Sequence, residues 1–273
     1  MKPKKSLGQN FLKDQTVLDK IIQAADLSLD DLVVEVGPGE GALTKELVKY
    51  ANKIICIEKD ESLANKLADN FQFSMTNDQI LNFKNKTAII AGDILEINLP
   101  ELIEKNDFKN YKVIANIPYY ITSPIIQLFL ETKYPPTEMI LMVQKEVAQR
   151  ICAGPGQMSI LAAAVQYYAQ VELLFHVDKK SFWPVPEVDS AVIRVTHNSK
   201  CVTQNERKNF FRIVRAGFSA KRKTLANNLA NSFQLDREIA EEAIKKAGLE
   251  PNVRAQELSV EDWKKLTDAK LRM

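Results

Sequence analysis

The sequence predicts an α/β domain with a mostly parallel sheet, followed by a small all-α domain. In residues 1–200, short apolar runs typical of buried strands alternate with helical patterns. This alternation is typical of a parallel sheet that is covered by helices on both faces. Residues 201–273 show only helical patterns, with no strand-like run. We therefore place the domain boundary near residues 198–204.

The first domain contains five apolar runs that predict strands, and helical patterns lie between several of them. The predicted strands are 32–36, 54–58, 87–93, 112–120 and 139–144, and the predicted helices are 41–50, 60–70 and 123–132. Two later runs, 171–177 and 190–197, are joined by DKKSFWPVPEVD, which leaves no room for a helix. We expect these two runs to form an antiparallel pair on one edge of the sheet.

The second domain shows four helical patterns. They cover residues 205–219, 221–232, 236–247 and 259–271. Asp236 is a plausible N-cap and Gly248 follows the end of the same helix, as the usual capping preferences predict.

Composition excludes several classes of protein. No apolar run approaches the length of about 18 residues that a membrane helix needs, and the lysine-rich start is not followed by an apolar signal core. We expect a cytoplasmic protein with no membrane partner. The three cysteines are far apart and lack C-x-x-C spacing, which argues against disulfides and a zinc site. The two histidines lie in apolar strand patterns, so we predict no bound metal.

Positive charge is concentrated at the ends of the chain. The net charge is only +2, but residues 200–273 hold 16 Lys and Arg against 10 Asp and Glu, and the amino terminus adds three lysines. This asymmetry favours nucleic acid as a partner.

The stretch VVEVGPGEGALT, residues 33–44, combines a strand, a glycine-rich turn and a helix. Gly37, Gly39 and Ala42 match the dinucleotide pattern G-x-G-x-x-G/A, and Glu58 follows at about the expected distance of 20 residues. A dehydrogenase is therefore one interpretation. A P-loop is excluded because no Gly-Lys-Ser/Thr ends the turn.

Four polar features follow four of the predicted strands. They are the glycine turn, Glu58, Asp93 and the segment NIPYY at 116–120. Ligands of open α/β sheets bind beyond the carboxyl ends of the strands, so we expect these features to meet in one site.

The segment NIPYY suits chemistry on an aromatic amine. The exocyclic amine of adenine is a poor nucleophile, and a site that uses it must accept hydrogen bonds from its N–H groups. The side-chain oxygen of Asn116 is one acceptor, and the carbonyl of Ile117, held rigid by Pro118, is a second. Tyr119 offers a flat face for stacking a base. Neither a metal nor a strong base is required when the amine is aligned with a methyl sulfonium.

Seven segments in this order resemble the ribosomal RNA adenine N6-dimethyltransferases over residues 6–229. They are SLGQNFL, VVEVGPGEGALT, IEKD, AGD, NIPYY, FWPVPEVDSAVIR and FSAKRKTLANNL. The resemblance is strongest to the bacterial small-subunit group, which dimethylates two adjacent adenosines in a hairpin loop near the 3′ end of 16S RNA. It implies a Rossmann-like S-adenosylmethionine-dependent methyltransferase fold.

The resemblance also implies roles for individual residues. The residues implied to bind S-adenosylmethionine are Asn10, Leu12, Gly37, Gly39, Glu58, Asp93 and Asn116. Those implied to be catalytic or to hold the target base are Asn116, Pro118, Tyr119 and Phe182. Glu58 would bind the ribose hydroxyls, Asp93 the adenine amine of the cofactor, and Phe182 would stack the target base against Tyr119.

Basic side chains at both ends of the chain are candidates for RNA binding. They are Lys4, Lys5, Arg215, Lys221, Arg222 and Lys223, each of which would contact phosphates rather than read sequence. The expected partner is the RNA of the small (30S) ribosomal subunit, bound by a monomer.

The sequence departs from the family pattern in three places. The loop at 153–158 is shorter than expected, residues 71–86 form a longer connection, and Lys221 stands where the family often has arginine.

Three alternative functions also stay open. They are a large-subunit RNA methyltransferase of the macrolide-resistance type, a nucleic-acid-binding protein without turnover, and the dehydrogenase, which gives no reason for NIPYY. PEVDSAVIR and FSAKRKTLANNL fit the small-subunit group better than its large-subunit relative.

Overall fold

The structure is a computed structural model of the chain, and it describes residues 3–4, 7–74, 86–108, 110–198 and 203–269. Lys5 and Cys201 lie outside the described residues, as does most of the long connection at 71–86. The chain divides into two compact units. The first contains Met1–Ala148 and Gln170–His197, and the second contains Gln149–Ala169 and Asn198–Met273.

The first unit is built on a seven-stranded sheet and a separate two-stranded sheet. The strands are β1 (Phe11–Leu12), β2 (Leu32–Val36), β3 (Lys53–Glu58), β4 (Thr87–Ala91), β5 (Lys112–Asn116), β6 (Glu138–Gln144), β7 (Ala169–Val177), β8 (Phe182–Trp183) and β9 (Ser190–His197). The large sheet has the order β4-β3-β2-β5-β6-β9-β7. Strands β2 to β6 pair in parallel, and β9 runs antiparallel to β6.

This topology confirms the predicted α/β class. The five predicted parallel strands form, and the two later runs are the neighbours β9 and β7 at one end of the sheet. Because β2, β3, β4 and β5 are parallel, the loops that follow them emerge at the same edge. The apolar residues of the central strands β2, β3 and β5 are buried, with Val33, Ile54 and Val113 at 0% exposure, whereas those of the edge strand β4 are only partly buried or exposed.

Helices of the first unit cover this sheet. They are α1 (Gln15–Ala25), α2 (Ala42–Tyr50), α3 (Glu61–Ser74), α4 (Leu99–Asn106) and α5 (Thr122–Glu131), and α6 (Lys145–Ile151) leads into the second unit. Helix α1 was not predicted from the sequence. Its N-cap is Asp14, whose side chain accepts a hydrogen bond from the backbone N–H of Thr16. It buries Val17, Leu18 and Ile21 in the core of the unit.

The second unit is helical. It contains α7 (Ile160–Tyr168), α8 (Gln204–Gly217), α9 (Leu225–Phe233), α10 (Arg237–Lys246) and α11 (Val260–Asp268) around a core that includes Phe210, Leu229 and Trp263. The four predicted helices are present. Asp236 is at the N-cap of α10, although its side chain makes no capping hydrogen bond, and Gly248 has a positive φ of 79° just beyond the helix.

The segment Gln149–Ala169 belongs to this second unit, whereas the boundary predicted from the sequence places it in the first domain. Its apolar residues Met158, Ala162 and Tyr167 pack into the helical core. An apolar helical pattern does not indicate which of two cores the helix joins, so the boundary predicted near residues 198–204 missed this segment. Among the described residues, no helix is both long and apolar enough to cross a membrane.

Candidate active site

One cavity lies where the loops after β2, β3, β4 and β5 converge, and an amino-terminal segment covers it. Nine of the residues that sequence analysis selected line it: Asn10, Leu12, Gly37, Gly39, Glu58, Asp93, Asn116, Pro118 and Tyr119. The predicted convergence of four loops at the carboxyl edge of the sheet is therefore present in the structure. The roles of the individual residues stay predictions.

The glycine turn allows the amino-terminal segment to approach closely. Gly37 and Gly39 have φ values of +69° and +59°, which favour glycine over other residues. A Cβ atom on Gly39 would also lie 3.1 Å from the ring of Phe11. Glycine at position 39 therefore serves both the turn and the contact with Phe11.

Glu58 is fixed by two backbone donors. Its Oε2 accepts a hydrogen bond from Gly39 N at 3.0 Å, and its Oε1 accepts one from Asp60 N at 2.9 Å. The side chain is buried, and this burial raises the pKa of its carboxyl group despite the two hydrogen bonds. Each carboxylate oxygen has a further lone pair, so Glu58 can accept hydroxyl donors inside the cavity.

Asp93 is an ionised acceptor in the same cavity. Lys59 Nζ donates to Asp93 Oδ2 at 2.7 Å, and Leu95 N donates to Oδ1 at 3.0 Å. The hydrogen bond from Lys59 lowers the pKa of the Asp93 carboxyl, so it carries a negative charge at neutral pH. Because an ionised carboxylate only accepts, this position suits an amine donor.

Asn116 is oriented by the segment that covers the cavity. Its Nδ2 donates to the backbone oxygen of Asn10 at 3.3 Å, which directs the side-chain oxygen away from that contact. Asn116 ends β5, and Ile117 N donates to Met142 O at 3.1 Å on the neighbouring strand. The amide is thus attached to a rigid strand end and presents Oδ1 as an acceptor.

Tyr119 has a fixed ring orientation. Its hydroxyl is hydrogen bonded to Ser190 Oγ at 2.7 Å, and its backbone oxygen accepts from Thr122 Oγ1 at 3.2 Å. Burial raises the pKa of the Tyr119 phenol, so it stays protonated at neutral pH. Its ring lines the cavity and offers an uncharged surface for stacking.

Phe182 is the one predicted base-contacting residue that does not line the cavity. It pairs with Leu12 across the two-stranded sheet of β1 and β8, and only 3% of its surface is exposed. Its neighbour Trp183 is 48% exposed. Stacking of the target base by Phe182 stays a prediction, and it requires a change in the position of this ring.

Sequence reasoning missed several residues at the cavity. The side chain of Lys59 donates to Asp93, and the backbone N–H of Asp60, whose own side chain is buried, donates to Glu58. Both belong to IEKD, of which only Glu58 was selected. Asp60 precedes α3 and accepts from Ser62 N, so in the sequence it resembles an ordinary helix cap.

Glu35 was also missed, and it is a buried acid on the cavity wall. Desolvation raises the pKa of its carboxyl to about 8, so it is protonated at neutral pH. The thiol of Cys56 lies 3.6 Å from Glu35 Oε2, and burial raises the pKa of this thiol as well. The base of the cavity next to Glu35 is therefore uncharged at neutral pH.

The predicted RNA-binding residues divide between the two units. Arg215, Lys221, Arg222 and Lys223 are exposed in the second unit, and none forms an ion pair within the described ranges. Lys4 belongs to the first unit and donates to Asp60 Oδ1 at 2.8 Å. Lys5 falls outside the residues that the structure describes.

Curated proteins with similar sequences cover almost the whole chain. A protein of Dehalococcoides mccartyi named ribosomal RNA small subunit methyltransferase A is 40% identical over 267 residues, which is 97% of this chain and 88% of that protein. The protein with the same name from Mycoplasma capricolum is 41% identical over 269 residues, which is 97% of each chain.

Solved structures show the same architecture. A dimethyladenosine transferase from Plasmodium falciparum matches with a TM-score of 0.76 and 26% identity, over 94% of this chain and 95% of that one. The 23S ribosomal RNA methyltransferase ErmE matches with a TM-score of 0.74 and 25% identity, over 95% of this chain and 99% of that one.

A family model described as ribosomal RNA adenine dimethylase matches residues 1–270. This match covers both units and every residue of the cavity. The chain therefore belongs to the ribosomal RNA adenine dimethylase family.

Proposed function

We propose that the protein transfers methyl groups from S-adenosylmethionine to N6 of two adjacent adenosines in small-subunit ribosomal RNA, giving N6-dimethyladenosine. The observation that carries this proposal is the meeting of Glu58, Asp93 and Asn116 around one cavity at the carboxyl edge of the sheet. Glu58 and Asp93 can accept hydrogen bonds from the nucleoside part of a cofactor, and Asn116 can accept one from a substrate amine. The names of the relatives with about 40% identity support the small subunit as substrate.

The residues of the cavity fit S-adenosylmethionine. Glu58 is held by backbone donors and would accept the ribose hydroxyls, and ionised Asp93 would accept the adenine amine. The glycine turn leaves room near Gly37 for the methionine part. When bound, this cofactor supplies an electrophilic methyl group on a sulfonium.

Asn116 would orient the target amine. Its Oδ1 accepts one N–H of adenine N6, and the carbonyl of Ile117 accepts the other, so that the nitrogen lone pair points at the methyl group. The ring of Tyr119 stacks on the base and holds its plane, while the hydrogen bond to Ser190 holds the ring. Pro118 restricts the backbone between these groups. Each transfer would form a bond between N6 and the methyl carbon and break the bond from that carbon to sulfur, leaving S-adenosylhomocysteine, and N6 would lose one proton to solvent.

Phosphate contacts would come from the second unit. Arg215, Lys221, Arg222 and Lys223 are exposed and suited to the backbone of the RNA. We propose that the protein acts in the cytoplasm as a monomer on small ribosomal subunits. A base in an RNA loop is already unstacked, so it enters such a cavity at low cost.

The proposal is tested with labelled S-adenosylmethionine and two substrates, small subunits that lack the modification and large subunits. We expect label in the small-subunit RNA alone. Protein with Asn116→Ala serves as the control for contaminating activity. Label in neither RNA would contradict the proposal.

Label in the large-subunit RNA alone would favour the macrolide-resistance type of methyltransferase instead. The structural similarity to ErmE makes this the relevant second candidate. The chain is 40% identical to a small-subunit enzyme but 25% identical to ErmE, and this difference favours the small subunit as substrate.

A further inference from the structure

The amino-terminal segment is tied to the loop after β3 by one buried carboxylate. Lys4 Nζ donates to Asp60 Oδ1 at 2.8 Å, and Gln9 Nε2 donates to Asp60 Oδ2 at 3.0 Å. The segment is also braced internally, because Lys4 N donates to Gln9 Oε1 at 2.7 Å. We call residue 4 and residues 7–12 the arm.

The Asp60 carboxylate is charged although it is buried. Its side chain is 1% exposed. Burial opposes ionisation, but hydrogen bonds from Lys4, Ser62 and Gln9 outweigh it and lower the pKa of Asp60. A buried charge depends strongly on its partners, so displacing the arm would remove two of the hydrogen-bond donors that stabilise the Asp60 carboxylate.

The same network reaches both halves of the cavity. Asp60 N donates to Glu58, the predicted acceptor for the cofactor ribose. At the other end of the arm, the backbone oxygen of Asn10 accepts from Asn116, which faces the target base in the proposed function. Between them, Phe11 packs against Gly39. The position of the arm is thus linked to the cofactor residues and to the residue proposed to hold the amine.

We propose that Asp60 is a positioning residue that holds the arm closed over the cofactor cavity through Lys4 and Gln9. This inference rests on the proposed function for the identity of the cofactor. It also reassigns Lys4, which sequence analysis had placed among the RNA phosphate contacts. In this proposal Lys4 supports cofactor binding, and the salt dependence of RNA binding comes from basic residues of the second unit.

A second ion pair on the arm side of the cavity provides a matched control. Lys13 pairs with Glu40, and both side chains are substantially exposed, at 52% and 32%. An exposed pair of this kind contributes little to stability. Lys4 is exposed to a similar extent, at 50%, but its partner is buried. The two lysines therefore have similar exposure and contact carboxylates of different burial, and Lys13 Nζ also lies 5.9 Å from the centroid of the Phe11 ring.

The test compares Asp60→Asn, Lys4→Met and Lys13→Met with the wild-type protein. Amide hydrogen exchange of a peptide containing residues 7–12 is measured without cofactor, and the affinity for S-adenosylhomocysteine is measured by calorimetry. We expect faster exchange in the arm and about tenfold weaker affinity in Asp60→Asn and Lys4→Met. Lys13→Met should match the wild type in both measurements.

Kinetics separate positioning from general damage. With Asp60→Asn, KM for S-adenosylmethionine should rise while kcat at saturating cofactor and the midpoint of thermal unfolding change little. If Asp60→Asn does not fold, Lys4→Met alone decides the matter. Unchanged exchange of the arm in Lys4→Met, or an equal loss of affinity in Lys13→Met, would overturn the inference. Failure of the wild-type protein to bind S-adenosylhomocysteine would count against the proposed function instead, since the exchange measurement needs no cofactor.

Discussion

Asn116 is the residue on which the proposed chemistry depends most directly. It is held at the end of a central strand, and its Nδ2 bonds to the backbone oxygen of Asn10. This geometry leaves its Oδ1 for a substrate that the cavity admits. Glu58 and Asp93, the proposed acceptors for the cofactor, lie at or just beyond the ends of other strands, so the two proposed tasks would fall to separate side chains.

We predict that Asn116→Ala abolishes methyl transfer while cofactor binding is largely kept. The variant loses the acceptor that aligns the amine, for which we expect a fall in kcat of at least about a hundredfold. Its hydrogen bond to Asn10 is long, at 3.3 Å, so the affinity for S-adenosylhomocysteine should fall only a few-fold. Single-turnover kinetics and calorimetry measure the two effects. An equally severe loss of both would show that Asn116 mainly binds the cofactor.

Glu35 makes the stability of the protein depend on pH. Burial raises the pKa of its carboxyl to about 8 in the folded protein, above the usual value of about 4.3. Between these values the folded state binds more protons than the unfolded state. The stabilisation from neutral Glu35 is therefore complete below the lower value and is lost as the pH rises through the higher one.

We predict that Glu35→Gln flattens the pH dependence of stability between about pH 4 and about pH 8. In the wild-type protein, the free energy of unfolding should fall across this range, because the folded state keeps a proton on Glu35 that the unfolded state has lost. A glutamine cannot ionise, so the variant should show a smaller fall. Urea unfolding at several pH values measures this. Parallel curves for the two proteins would mean that Glu35 is not the group responsible.

At the scale of elements, the central strands were predicted well because each is a continuous apolar run that is mostly buried. The predicted strand at 32–36 matches Leu32–Val36, and the predicted run at 54–58 begins only one residue late. The two-residue strands β1 and β8 were missed. Strands of two residues, such as Phe11–Leu12 and Phe182–Trp183, are too short to show a hydrophobic periodicity, and these two pair although they are far apart in the sequence.

The junction of α8 and α9 requires a glycine at position 217. A Cβ atom there would lie 2.4 Å from Trp263 and 2.9 Å from Leu225. We predict that Gly217→Ala destabilises the helical unit by about 1 to 3 kcal/mol, as overpacked cores usually do. Thermal unfolding measures this, with Gly154→Ala as the control because a Cβ atom at that glycine has no neighbour within 4 Å. Equal midpoints for the two variants would contradict the packing argument.

The basic segment between α8 and α9 is the element to which we assign phosphate binding. We predict that RNA binding weakens when Lys221, Arg222 and Lys223 are changed to glutamine. The slope of log affinity against log salt concentration should become shallower by about 2, because each lost phosphate contact to single-stranded RNA contributes about 0.7. Lys245 and Lys246, two exposed lysines of α10, provide the control when changed in the same way. Filter binding at several salt concentrations measures both. An unchanged slope would place the RNA contacts elsewhere.

For the molecule as a whole, the sequence predicted the site better than the details around it. Parallel strands bring the loops after β2, β3, β4 and β5 to one edge, so Glu58, Asp93 and Asn116 were expected to meet, and they do. The contact of Lys4 with Asp60 joins residues 56 positions apart, and no periodicity reports it. The burial of Phe182 likewise depends on β1, whose short strand the sequence does not reveal.

The central claim is that the enzyme dimethylates two neighbouring adenosines of the small-subunit RNA. The most direct measurement is mass spectrometry of nuclease fragments from small subunits lacking the modification, after incubation with the protein and S-adenosylmethionine. We predict one fragment that carries two methyl groups on each of two adjacent adenosines. Methyl groups on any other base, or single methylation that does not proceed further with time, would contradict the claim.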